Sequence, residues 1–271
     1  MRNLAKIVVI AFCLVAAAPF LWHVVSSLKD PAEVAMIPPT ILPARPTLEN
    51  YFNLFRQRPF LRYSFNSFII ASLSSLLCVA SAAPAAYRLA RSGPRPRFLV
   101  SSVLLGLAFV PPIVLVFPLY ELVRAVGLIN RPWGLIIPYA ALNLPLSVWL
   151  LTGYFRQIPI ELEEAASMDG LSLFQTFFTI VVPLARPALV TVTVLAFVFS
   201  WNEYILALTF MNAENARTVT VAIATLSGAF VFQIPWGLIA AGVIASSLPL
   251  IVLMIFFQNR IVAGLTAGSA R

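Results

Sequence analysis

Six stretches of this chain are each apolar over about 20 residues, the length an α-helix needs to cross the hydrocarbon of a bilayer. They are Ile7–Leu28, Phe65–Tyr87, Phe98–Tyr120, Trp133–Phe155, Pro187–Phe210 and Trp236–Phe257. The second, third, fourth and sixth hold no Asp, Glu, Lys or Arg; the first holds His23 and the fifth holds Glu203. Inside a membrane every backbone N–H and C=O must be satisfied within the protein, which leaves helices or closed barrels. Runs of this length predict helices, so the expected fold class is an all-α membrane protein with six transmembrane helices. The same pattern predicts one transmembrane domain over residues 1–271. Composition agrees: 61% of the residues are hydrophobic and 10% are charged, against about 25% charged in a soluble domain.

The net charge of +8 is placed to orient a membrane protein. Arg88, Arg91, Arg95 and Arg97 stand between the second and third runs with no acid among them, and short basic loops stay cytoplasmic. The N-terminus, with Arg2 and Lys6, is then inside, as are loop 156–186 and the C-terminus. Loop 29–64 is external, although its Lys29, Arg45, Arg56, Arg58 and Arg62 against Asp30, Glu33 and Glu49 weaken the bias. No basic stripe is interleaved with aromatics, so nucleic acid is not an expected partner. The first run is longer than a signal-peptide core and is read as an uncleaved span. Cys13 and Cys78 lie inside apolar runs and form no disulfide or metal pattern, and His23 has no ligating neighbours.

Two loops stand apart. Pro31, Pro38, Pro39, Pro43, Pro46 and Pro59 make loop 29–64 resist helix and suggest an ordered surface strap. Residues 218–234 are fairly apolar but interrupted by polar residues and Gly228. They are read as a re-entrant or folded external segment and not as a seventh span.

Loop 156–186 is the long inside loop. From Pro159 it reads PIELEEAASMDGLSLFQTFFTIVVPLARPAL. Proline suits a first helical position. Glu161, Glu163 and Glu164 suit the first turns, where the helix dipole favours negative charge. Asp169-Gly170 is a stop signal, with Gly170 expected at positive φ. Ser172 is placed to cap a second short helix that runs to Val182 and is ended by Pro183. Leu162, Ala165, Ala166 and Asp169 fall on one face at helical spacing, which makes a plug for a groove on a partner. Resting on the membrane surface is the alternative, but surface helices favour Lys and Arg and this one is acidic.

Glu164-Ala165-Ala166, then Gly170, then Ile180-x-Val182-Pro183 resembles the coupling-loop motif of ABC-importer permeases, usually written EAA…G…I-x-L-P, with Val182 in place of Leu. The chain is similar over nearly its whole length to carbohydrate-importer permeases of the maltose-transporter type. Asp30-Pro31-Ala32-Glu33, Pro46-Thr47-Leu48-Glu49-Asn50-Tyr51, Asn66-Ser67, Trp201-Asn202-Glu203 and Gly264-Leu265-Thr266-Ala267-Gly268 carry that similarity. Pro84, Arg88 and the short tail after Gly268 depart from it. The resemblance implies a multi-pass bacterial inner-membrane protein with the type I ABC-importer permease fold. It implies a heterodimeric pore with a second permease subunit, two ATPase subunits on the coupling loops and an extracytoplasmic sugar-binding protein. ATP and magnesium then belong to the ATPases; this chain carries no cofactor and is not an enzyme, and it has no G-x-x-x-x-G-K-[ST] phosphate loop. The expected substrate is a di- or oligosaccharide such as trehalose or maltose, with glycerol phosphate or another polyol as the alternative. A secondary transporter is the competing class; it should show internal repeats and midplane ionisable sites, which are not found here. The resemblance places Glu163, Glu164, Ala165, Ala166, Met168, Asp169, Gly170, Ile180 and Pro183 in ATPase coupling.

Inside the spans the candidates for the substrate pathway are Tyr139, Asn143, Trp201, Asn202 and Glu203. Two of them have a plainer reading beside that one. Glu203 can sit at the water interface, and Asn143 can hydrogen-bond between helices. Pro111-Pro112 should break or kink the third span.

Overall fold

The computed structural model describes residues 2–34, 36, 38–226 and 234–267, and among these it is helical with no strand. In chain order the helices are α1 (Arg2–Ser27), α2 (Pro31–Val34), α3 (Glu49–Gln57), α4 (Phe60–Ala90), α5 (Pro94–Ala108), α6 (Pro112–Ala125), α7 (Trp133–Phe155), α8 (Glu161–Met168), α9 (Leu173–Thr176), α10 (Val182–Leu184), α11 (Arg186–Asn202), α12 (Ile205–Phe210), α13 (Val219–Ala224) and α14 (Trp236–Ala267). A π turn, Phe177–Val181, joins α9 to α10. Four continuous helices (α1, α4, α7 and α14) are long and apolar enough to cross a bilayer. Two bent pairs bring the number of candidate spans to six.

Both bends fall at or beside prolines that the sequence marks as breaks, Pro111-Pro112 for the first and Pro183 for the second. The third span breaks at Phe109–Pro111, where α5 and α6 meet at 88°. Pro111 and Pro112 offer no N–H, and the N–H groups of Phe109 and Val110 turn back to the carbonyls of Gly106 and Leu107. The second bend precedes the expected fifth span, Pro187–Phe210, and that span is itself interrupted once. α11 meets the preceding Leu173–Leu184 segment at 78°, and α11 stops at Asn202 before α12 begins. By contrast α4 continues through Pro84, and α7 through Pro138 and Pro145.

The described residues group into two compact units. One comprises Met1–Ser64 and Thr218–Leu250. In it α1 leaves Ile7, Phe12 and Val15 more than half exposed, as suits a helix whose solvent is lipid. The proline-rich segment after α1 does not resist helix throughout, since α2 and α3 form where prolines stand only at or before their first turns, but it is tied down as expected of an ordered strap. Glu33 accepts from the Thr40 hydroxyl at 2.7 Å and from the Ala44 N–H, and Lys29 donates to the Thr40 carbonyl. Buried Asn50 donates its amide to the carbonyls of Ser27 (3.0 Å) and Lys29 (2.7 Å). Gly237 at the start of α14 leaves no room for a side chain, since a Cβ there would stand 2.6 Å from Asn50 Oδ1. Of the segment 218–234, Val219–Ala224 forms α13, about 9 Å long at helical rise and too short to span. Residues 227–233, with Gly228, lie outside the described residues.

The other unit comprises Phe65–Arg217 and Ile251–Arg271. Its core sets Ala82, Ala83, Ala86 and Ala90 of α4 against Val148, Leu151 and Phe155 of α7, with Phe177, Val181, Ala188 and Val192 closing it. Small residues on α4 let the backbones approach closely, the usual source of helix affinity in lipid. α7 also packs against α5 and α11. The loop after α6 is fixed to the end of α12: the Asn130 N–H donates to the Phe210 carbonyl, and Asn130 Oδ1 accepts from the Ala213 N–H.

Candidate functional site

The segment after α7 folds as a helical hairpin. Pro159 precedes α8, and Glu161, Glu163 and Glu164 occupy its first turn, where the free N–H groups favour anions. The helix closes on Gly170 at φ +83. The Leu171 N–H bonds the Ala166 carbonyl and the Gly170 N–H bonds the Ser167 carbonyl, both at 3.0 Å, the paired bonds of a Schellman ending. Ser172 then opens α9 with a full capping box: its hydroxyl accepts from the Gln175 N–H, and Gln175 Oε1 accepts from the Ser172 N–H.

Pro183 does not end this second helix, as its sequence position suggested; the helix runs on to Leu184 and turns at Ala185. The reason is the π turn just before it. The Val182 N–H reaches back five residues to the Phe177 carbonyl. That widening moves the chain away from the close approach that a proline ring would otherwise make.

The hairpin sorts its residues by exposure. Glu161, Leu162, Glu164, Ala165, Met168 and Asp169 face outward, Met168 at 89% exposure, and Leu173 (68%) and Phe174 (73%) extend the apolar part of that surface. Ala166 is buried, so it leaves the face on which helical spacing had grouped it with Leu162, Ala165 and Asp169. Ile180 lies half-buried in the π turn and Pro183 half-buried after it. Glu163 turns inward. Its Oε1 accepts from Arg91 Nε (2.8 Å) and Nη2 (2.5 Å), and its Oε2 accepts from the Tyr87 hydroxyl at 2.6 Å. The same Arg91 Nη2 donates to the Ile158 carbonyl at 3.0 Å.

The intramembrane candidates form a second polar line. The Tyr139 hydroxyl donates to Glu203 Oε2 at 2.6 Å, and Glu203 accepts from the N–H groups of Leu206 (2.9 Å) and Ala207 (3.2 Å). The carboxylate thus caps α12 where the fifth span breaks. Asn143 is buried and bonds the Tyr139 carbonyl and the Ser200 hydroxyl, which in turn receives Ser74 at 3.0 Å. Tyr139 and Trp201 are buried, with the Trp201 ring stacked on Phe197 at 5.8 Å. Asn202 is exposed and its amide bonds the Val198 carbonyl. All five therefore have intramolecular partners.

The sequence reading missed Tyr87 and Arg91 as site residues. Arg91 had served only to orient the chain. The available signal was spacing: four residues apart at the end of a helix, the two side chains share a face.

Comparison with known proteins fits this geometry. Residues 81–266 match the family described as "Binding-protein-dependent transport system inner membrane component". The chain is 42% identical to the trehalose transport system permease protein SugB of Mycobacterium tuberculosis, over 94% of this chain and 93% of that one. It is 39% identical to the sulfoquinovosyl glycerol transport system permease protein SmoH of Agrobacterium fabrum, over 93% and 88%. It is 38% identical to the trehalose/maltose transport system permease protein MalG of Thermococcus litoralis, over 100% and 97%. Its fold is similar to a chain in the crystal structure of a bacterial ABC transporter that imports the acidic polysaccharide alginate, with a TM-score of 0.79, 22% identity and 95% of each chain covered. Up to six candidate membrane spans among the described residues, a capped hairpin after the fourth, and this match over residues 81–266 lead to one conclusion: the chain belongs to the inner-membrane permease components of binding-protein-dependent sugar ABC transporters, and is a non-catalytic subunit.

Proposed function

We propose that this chain pairs with a second, different permease subunit to form the pore of an ATP-driven sugar importer, and that its hairpin 156–186 docks on an ATPase subunit. The observation that carries this reading is the outward surface of the hairpin. Met168, Leu173 and Phe174 are exposed beside Glu161, Glu164 and Asp169. An apolar knob ringed by acids is repelled by an anionic lipid surface, and it suits a protein groove with a basic rim. In this scheme ATP and magnesium are held by the ATPases. An extracytoplasmic binding protein delivers a di- or oligosaccharide of the trehalose or maltose kind, the class that the names of SugB and MalG support. Loop 29–64 and the segment 218–234 face that binding protein.

The test is reconstitution with the co-encoded proteins in liposomes. Trehalose or maltose with the binding protein is expected to stimulate ATP hydrolysis and to accumulate inside. Hydrolysis that no sugar stimulates, in a complex that does assemble, would overturn the reading.

Orientation has its own check. With Cys13 and Cys78 replaced, a cysteine at Thr47 is expected to react with a membrane-impermeant reagent added outside, and one at Ser92 only after permeabilisation. The reverse pattern would invert the topology.

A further inference from the structure

We infer that Arg91 and Tyr87, at the end of α4, are positioning residues that lock the coupling hairpin to a membrane-crossing helix through Glu163. The inference rests on the docking role proposed for the hairpin, and adds to it the route by which movement of the hairpin reaches the pore.

The geometry is specific. α8 presents most of its side chains outward and buries only Ala166 fully, so apolar packing holds it weakly. Its strong attachment is Glu163, whose side chain is 12% exposed. Both carboxylate oxygens are engaged from α4 and the residue that follows it: Oε1 by two nitrogens of the Arg91 guanidinium, Oε2 by the Tyr87 hydroxyl. Arg91 is 17% exposed and also holds the Ile158 carbonyl, in the chain leaving α7. The Tyr87 ring packs edge-on against Phe155 of α7 at 6.1 Å and lies 5.2 Å from Phe177 of the π turn. One cluster therefore joins α4, the end of α7, α8 and the π turn.

The physics of such a joint favours transmission over mere attachment. A charge-assisted fork fixes both direction and distance, which a greasy contact does not. It is shielded enough to escape the screening that makes exposed pairs weak. Removing either partner leaves the other charge poorly solvated and uncompensated, so the joint is all-or-none. A hairpin displaced by an ATPase then drags the end of α4 with it.

The test uses the whole reconstituted transporter, with Arg91→Gln, Glu163→Gln, the double variant and Tyr87→Phe. Sugar moved per ATP hydrolysed is expected to fall roughly tenfold in each single charge variant and no further in the double, because residues acting through one contact are not additive. Tyr87→Phe keeps the ring packing, removes one hydrogen bond, and is expected to lose about threefold. A second readout is structural. Spin labels at Ser81 and Ser167 are expected to give a single narrow distance in the parent and a broadened one in both charge variants. Charge variants that keep both the transport ratio and the narrow distance would overturn the joint, as would losses that multiply to about a hundredfold in the double. If the parent complex shows no sugar-stimulated hydrolysis, the docking role has failed instead, and the spin-label distances alone then decide the joint.

Discussion

Gly170→Val is expected to leave the chain inserted and its partners bound, yet to lower sugar uptake by about tenfold or more and to abolish stimulation of ATP hydrolysis by sugar. The effect comes from the backbone alone. Beyond the adjacent residues no atom lies within 4 Å of the position a Cβ would take, so there is no tertiary clash to relieve. At φ +83, however, an L-residue costs roughly 1–2 kcal/mol, and a branched one more. Since about 1.4 kcal/mol is a factor of ten in an equilibrium, the Schellman ending of α8 would be populated only in part. α8 and α9 would then meet at a different angle. Gly170→Asn is the informative control, because asparagine tolerates this conformation and is expected to keep most of the coupling. Uptake and stimulated hydrolysis measured on proteoliposomes, beside recovery of the complex on a column, decide it. Normal coupling in an assembled valine variant would remove this hairpin from the transmission path. Glu164→Lys probes the same loop from its outward side, where it should set like charges together on a basic groove.

The second large effect is expected at Glu203. Its carboxylate receives the Tyr139 hydroxyl and two N–H groups of α12, so Glu203→Ala removes an anionic cap and three charge-assisted bonds together. Such bonds contribute about 1.5–3 kcal/mol each before compensation, and a total loss of roughly 3–5 kcal/mol is expected. Thermal unfolding of the purified complex in detergent should show it as a clear fall in midpoint. Tyr139→Phe removes one of the three and should fall about a third as far. A sugar-contacting carboxylate would behave differently: KM for uptake would rise while the unfolding midpoint stayed in place, and that outcome would return Glu203 to the substrate pathway.

The contrast between these two sites shows what was legible in the sequence. Local signals were read well where one residue type has one conformational meaning. Gly170 closes a helix, Ser172 caps one, and Pro111-Pro112 breaks one, all visible before any fold is known. The fourth span, Trp133–Phe155, has the same limits in sequence and structure. The break after Asn202 was not legible, because no glycine or proline marks it. It is made by a carboxylate ahead of two N–H donors within an apolar run, and it takes Tyr139, 64 positions away in the chain, to stabilise it. The inward pairing of Glu163 was not legible for a related reason. Three acids in one helical turn all satisfy the helix dipole, and only tertiary structure separates the one facing Arg91 from those facing out. Pro183 was taken as a stop because a proline rule assumes α geometry, and the turn before it is wider.

That wide turn has a consequence for how the chain tolerates insertion and deletion. A π turn spends about one more residue on a turn than an α-helix does, so Phe177–Val181 takes in an additional residue with little change of heading. An α-helix advances about 100° per residue. Forcing α pitch on the same residues would therefore swing the exit at Ala185 by roughly that angle, whereas deleting Thr179 as the pitch tightens would leave the exit near its present bearing. Residue number and turn width are matched in this short stretch, and a change in one without the other would send the fifth span off on a different heading.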